Sequence, residues 1–188
     1  MDLSSINKAF FIGIGGIGMS ALANYFLQKN IQVYGYDREA SEITKNLTSL
    51  GSNITYNFND FNINEFKSDI DNTLVIYTPA ISKEHPLLTQ FEENKFNVFK
   101  RAEVLQKISE NSKCIAVAGT HGKTTTSAIL AHILKVSDLK FSAFVGGIMV
   151  NYNSNFLYNG EDYILVEADE FDRSFLKLNP NYACITSL

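Results

Sequence analysis

Two glycine loops constrain this chain more than any other feature, because each stands between an apolar run and a run with helical spacing. Residues 8–14, KAFFIGI, read as a buried strand. Residues 17–29 then place apolar side chains at Met19, Leu22, Ala23, Phe26 and Leu27, the period of a helix with one buried face. Between the two lies Gly13-Ile14-Gly15-Gly16-Ile17-Gly18, a G-x-G-x-x-G loop in the setting that gives the motif meaning. Downstream, residues 114–118, CIAVA, form a strongly apolar strand. It runs into Gly119-Thr120-His121-Gly122 and a helical stretch at 123–136.

The remainder of the chain repeats this alternation. Strands are expected at 31–36, 53–56, 73–78 and 96–99, and helices at 41–50, 86–94 and 101–109, with Ser41 as a cap and Pro86 in a first turn. Further strands are expected at 141–145, 163–166 and 183–188. Alternating strands and helices favour parallel sheets of α/β class. The expected architecture is a Rossmann-like domain at 1–109, followed after the polar stretch 110–113 by a phosphate-loop α/β domain at 110–188. The second domain is expected to be incomplete, because the sequence stops on a strand. The segment 57–71 has no clear period.

The loops carry distinct chemistry. At residues 13–18, glycines allow close backbone approach, and the free N–H groups and dipole of a helix start attract a diphosphate. Gly13, Gly15, Gly16, Ile17 and Gly18 are therefore candidate ligand-binding residues. Asp37, 19 residues beyond Gly18, stands where an acid commonly accepts from a ribose or base. The motif admits NAD, FAD or any other nucleotide diphosphate. In the second loop the Gly-Lys-Thr core makes Gly119, Thr120, His121, Gly122, Lys123, Thr124 and Thr125 candidate ATP-binding residues. Lys123 is suited to phosphate, and the Thr124 hydroxyl to Mg2+. The loop is shorter than the general pattern, with Val117 where the leading glycine is expected. Glu167 ends the apolar run YILVE and is the second candidate Mg2+ ligand; Asp169, Glu170 and Asp172 follow in a turn. His85 and His132 read as structural or surface residues, and Cys114 and Cys184 as small buried hydrophobes.

Composition narrows the classes. With 188 residues, 45% of them hydrophobic, the chain can build one large or two small cores. A net charge of -4 argues against a nonspecific grip on nucleic acid. No stretch reaches the roughly 18 apolar residues of a membrane helix, and the start MDLSSINKAF lacks a basic leader region. A cytoplasmic protein is expected.

The segments 11–20, 119–126 and 167–175, with weaker matches at Ala80-Ile81-Ser82, Arg101-Ala102-Glu103 and Gly146-Gly147, closely resemble the Mur ligase family. The resemblance implies a three-domain, ATP-dependent enzyme of peptidoglycan precursor synthesis, with UDP-N-acetylmuramate and L-alanine as substrates and Mg2+ as cofactor. It implies that residues 15–18 cradle the UDP diphosphate, that Lys123 stabilises the migrating phosphoryl group, and that Thr124 and Glu167 hold the metal. It also implies an acyl-phosphate intermediate. A relative that adds a whole peptide to the same sugar shares the His-Gly-Lys-Thr loop, and a dehydrogenase using residues 13–18 is a more distant alternative. Phe171 stands where relatives often carry a small polar residue, and the family's metal-binding histidine falls beyond Leu188. The 188-residue chain alone is accordingly expected to have no turnover.

Overall fold

The computed structural model of the chain describes residues 3–168 and 178–187. Two compact units divide it, Met1–Arg101 and Ala102–Leu188.

In the first unit, β1 (Lys8–Ile12), β2 (Gln32–Tyr36), β3 (Asn53–Thr55), β4 (Thr73–Tyr77) and β5 (Asn97–Lys100) form one sheet in the order β3-β2-β1-β4-β5. Every pairing in it is parallel. The central strands are buried on both faces: Ala9, Phe10, Phe11 and Ile12 of β1 and Leu74, Val75 and Ile76 of β4 are all buried. Continuous apolar runs such as KAFFI are what a doubly covered parallel strand requires. The helices α1 (Ile17–Gln28), α2 (Glu42–Ser49) and α3 (Pro86–Glu93) supply that cover. Phe10, Phe66, Phe91 and Phe96 join Val75 and Leu88 in one buried cluster. Order reverses between β1 and β4, and the crevice beyond the carboxyl ends of such strands is where open α/β sheets bind ligands.

Local signals explain most boundaries. Ser41 caps α2 reciprocally with Thr44, whose N–H donates to Ser41 Oγ at 3.2 Å. Residues 57–71 hold three short 3-10 turns, at Phe58–Asp60, Ile63–Glu65 and Lys67–Asp69. Asn57 and Asn62 each accept from the N–H two residues on, so side chains replace the helical ladder there and no 3.6 period develops. Phe66 nevertheless turns inward, edge-on to Phe10 at 5.6 Å between ring centroids.

The second unit is built on β6 (Lys113–Ala118), β7 (Phe141–Met149), β8 (Ser154–Tyr158), β9 (Tyr163–Glu167) and β10 (Tyr182–Ile185), in the order β10-β6-β9-β7-β8. All pairings are parallel except β7 with β8. The helix α5 (Lys123–Val136) packs Ala131 and Leu134 against Val117, Phe141, Ala143 and Leu165.

Four expectations change. The units divide between Arg101 and Ala102, after the first residue of α4 (Arg101–Ser109) and not at residue 110, because the polar stretch 110–113 marks an exposed turn and not the limit of a packing unit. β7 runs on to Met149, through Gly146 and Gly147, which a propensity reading takes as a stop. β8 has no counterpart in the sequence reading, because SNFLY is a short edge strand set by antiparallel pairing with β7. Cys114 is buried, with its thiol pushed up to about 11 by burial, but Cys184 is exposed, since every residue of β10 is exposed. Among the described residues no helix is long and apolar enough to cross a membrane.

Candidate functional site

The first loop links β1 to α1. Gly13 has φ +85°, the left-handed region that favours glycine. Its N–H and that of Ile14 both donate to Tyr36 O, at 2.8 and 3.1 Å, which ties the loop to the end of β2. Gly15 N–H donates to Asp37 Oδ2 at 2.7 Å. A Cβ on Gly15 would stand 2.8 Å from that oxygen, so only glycine lets the loop reach the acid. Asp37 is thus next to the loop as expected, but one of its oxygens is engaged in shaping it; Oδ1 has a long 3.5 Å contact from Glu39 N–H. The helix start itself bears no side-chain cap: Gly16 is the N-cap, and Ile17 and Gly18 open the first turn. An uncapped, glycine-lined helix start suits an anion.

Arg101, the first residue of α4, lies against that same turn. A Cβ built on Gly18 would collide with its Nη1 and stand 2.9 Å from Cζ. No hydrogen bond or ion pair to a described residue engages this guanidinium. Sequence reasoning assigned Arg101 no role, and the one signal was its presence in the Arg-Ala-Glu match.

The second loop links β6 to α5. Gly119 and Gly122 have φ +124° and +81°, and Gly122 is the N-cap of α5. Lys123 Nζ crosses the loop to donate to Gly119 O at 2.5 Å. The chain leaving β10 closes over the loop: Thr186 Oγ1 donates to Ala118 O at 3.1 Å, and Ser187 Oγ accepts from His121 N–H at 2.9 Å. Gly119 has no room for a side chain, since a Cβ there would stand 2.8 Å from Ser187 N and O. Thr186 and Ser187 were not foreseen, for they approach the loop only because β10 pairs with β6. Thr120, His121 and Thr125 are exposed around the mouth.

Thr124, on the first turn of α5, donates through Oγ1 to Glu167 Oε2 at 3.1 Å. Glu167 Oε1 accepts from Gly146 N–H at 2.8 Å. The pairing of β6 with β9 sets Val117 opposite Glu167, which brings the carboxylate to the loop. Two hard oxygen donors, one hydroxyl and one carboxylate, converge beside a phosphate-type loop, and this donor set fits Mg2+, which is commonly held by one or two protein oxygens with phosphate and water completing its shell. Asp169, Glu170 and Asp172 lie outside the described residues. His85 and His132 are engaged structurally: His85 Nδ1 accepts from Leu87 N–H at 3.3 Å and caps α3, and His132 Nδ1 lies 2.6 Å from the Tyr152 hydroxyl.

A glycine loop at a helix start on an all-parallel sheet, and a Gly-Lys-Thr loop beside a hydroxyl–carboxylate pair on a second, largely parallel sheet, are the geometry of an α/β protein suited to phosphate groups. The chain belongs to the Mur ligase family, whose catalytic-domain family model matches residues 8–113. It is 53% identical over its whole length to a UDP-N-acetylmuramate–L-alanine ligase of Flavobacterium psychrophilum and 49% identical to one of Parabacteroides distasonis. The chain spans 42% and 41% of the length of these relatives. A crystal structure of UDP-N-acetylmuramate–alanine ligase from Thermotoga maritima superposes with a TM-score of 0.80 at 32% identity, covering 96% of this chain and 41% of that one. The UDP-N-acetylmuramate:L-alanyl-gamma-D-glutamyl-meso-diaminopimelate ligase from Neisseria meningitides shares the fold with a TM-score of 0.83 at 23% identity, covering 97% of this chain and 61% of that one.

Proposed function

We propose that this chain supplies the UDP-sugar site and the ATP loop of a cytoplasmic ligase that joins L-alanine to the carboxylate of UDP-N-acetylmuramate, in peptidoglycan precursor synthesis. The observation that carries the reading is the Thr124–Glu167 pair at 3.1 Å on a Gly-Lys-Thr loop. A dehydrogenase would leave Lys123, Thr124 and Glu167 without work.

In the first unit, residues 13–18 would hold the diphosphate through backbone N–H groups and the start of α1, with Asp37 keeping the loop in shape. In the second, the N–H groups of residues 119–125 would face the ATP phosphates, and Lys123 would leave Gly119 O to follow the γ-phosphoryl group. Thr124 and Glu167 would hold Mg2+, which would supply neutralisation of phosphate charge. The carboxylate oxygen of the sugar acid forms a bond to the γ-phosphorus as the bond to ADP breaks, giving an acyl phosphate. The amine of alanine then attacks the acyl carbon, phosphate leaves with the C–O electron pair, and the amine proton is released. Such chemistry rests on positioning and charge neutralisation, which these residue types supply.

The test is phosphate release by the protein at the full length of its relatives, given ATP, UDP-N-acetylmuramate and either single amino acids or the tripeptide. Release with alanine is expected. Release with the tripeptide alone moves the reading to the peptide-adding relative, and release with neither overturns it.

A further inference from the structure

We propose that Gly146 and Gly147 are positioning residues that hold the two Mg2+ ligands together, Gly146 acting on Glu167 and Gly147 on Thr124. The inference rests on the metal site proposed above.

The pairing of β7 with β8 loses register between Phe144 and Met149, so the strand is irregular where it carries the two glycines. Its pairing with β9 ends with Phe144 opposite Val166, one residue short of Glu167. Beyond that point Gly146 N–H, instead of continuing the ladder, donates to Glu167 Oε1 at 2.8 Å. The other carboxylate oxygen is thereby turned to Thr124 Oγ1. Glycine inside a strand commonly marks a bulge or a close approach, and both occur here.

Neither glycine has positive φ, so backbone freedom does not account for them. Space does. A Cβ on Gly146 would stand 2.5 Å from Glu167 Oε2, 3.0 Å from Cδ and 3.3 Å from Oε1, its three nearest neighbours. A Cβ on Gly147 would stand 3.0 Å from Thr124 Cγ2, the one atom within 4 Å among the described residues beyond its chain neighbours. Gly146 is exposed and Gly147 half-buried, so added methyl groups would enter no core. Their effect would fall on the two ligands.

The test is Mn2+ binding in the presence of a nonhydrolysable ATP analogue, read by electron paramagnetic resonance, on the protein at the full length of its relatives. Partners that orient metal ligands typically contribute about 10–100-fold in affinity. Gly146→Ala is expected to weaken Mn2+ binding by about tenfold, by the same reasoning, with the circular dichroism spectrum unchanged. Gly147→Ala is expected to weaken it less. Adding Thr124→Ser to Gly147→Ala should restore binding, because serine keeps the hydroxyl and lacks the methyl group that alanine would press. A purely structural role would not respond to that second change. Glu167→Gln and Thr124→Val serve as references. If both bind Mn2+ as the parent does, the metal site itself is wrong. If both weaken binding while the glycine variants do not, or if Thr124→Ser fails to restore Gly147→Ala, the positioning role is overturned. Should Gly146→Ala fail to fold, the Gly147 pair decides.

Discussion

The Arg101 guanidinium lies across Gly18, so that a side chain at residue 18 would displace it. The placement is electrostatically uphill on its own, because the start of α1 already carries the positive end of the helix dipole. A diphosphate seated there would reverse the sign and give the guanidinium a partner. Arg101→Ala is therefore expected to weaken UDP-N-acetylmuramate binding. Hydrogen bonds to charged groups contribute about 1.5–3 kcal/mol, or roughly 10–150-fold in Kd. Calorimetric titration checks this, and Gly18→Ala should weaken binding in the same direction. An unchanged Kd in both variants would show that Arg101 faces no ligand.

Lys123 Nζ donates to Gly119 O across the second loop, at the mouth where the ATP phosphates are proposed to sit. Lys123→Ala is expected to lower kcat by about 10²–10³-fold, the range for a lost transition-state charge partner. Phosphate release at saturating ATP measures it. A change confined to KM would assign the lysine to ground-state binding.

Burial holds the His85 imidazole below its ordinary value of 6.5. The same neutral ring accepts the Leu87 N–H that caps α3. The unfolded chain therefore takes up the proton at higher pH than the folded one. His85 stability is fully present above pH 6.5 and is lost as pH falls from there through the lowered folded value. Asn at an N-cap accepts the same bond without titrating. Urea melts of His85→Asn across pH 5 to 8, a range about the ordinary histidine value, should show a flatter acid limb than the parent. An unaltered slope would place the titration elsewhere.

Ser127 is buried in α5, and its hydroxyl has no hydrogen-bond partner among the described residues. An unsatisfied buried hydroxyl costs about 1–3 kcal/mol, so Ser127→Ala is expected to stabilise the second unit by about 1 kcal/mol in a denaturant melt. Destabilisation would mean that the hydroxyl is bonded in solution.

Much of this molecule was legible along the chain. Both strand–glycine–helix units, the Ser41 cap and the start of α3 at Pro86 are written in neighbours a few residues apart, where period and cap chemistry act. Lys123 and Thr124 were readable for the same reason, since a phosphate loop is a contiguous motif. Glu167 was readable as an acid ending an apolar run. That its two oxygens divide between Thr124 and Gly146 was not, because those partners lie 43 and 21 residues away in sequence.

What the residues indicated unaided was therefore two strand–glycine–helix loops of anion-seeking type, each on its own α/β sheet, with an acid at the end of a neighbouring strand. Tertiary structure alone decided which side chains meet. Asp37 bonds Gly15, Arg101 covers Gly18, Thr186 closes on the loop, and the register break in β7 sets Gly146 on Glu167. The physical reason is that local propensity acts over a few residues. Strand order and register act across the whole unit, and they supply the near approach at which a missing Cβ or one N–H determines the geometry of a site.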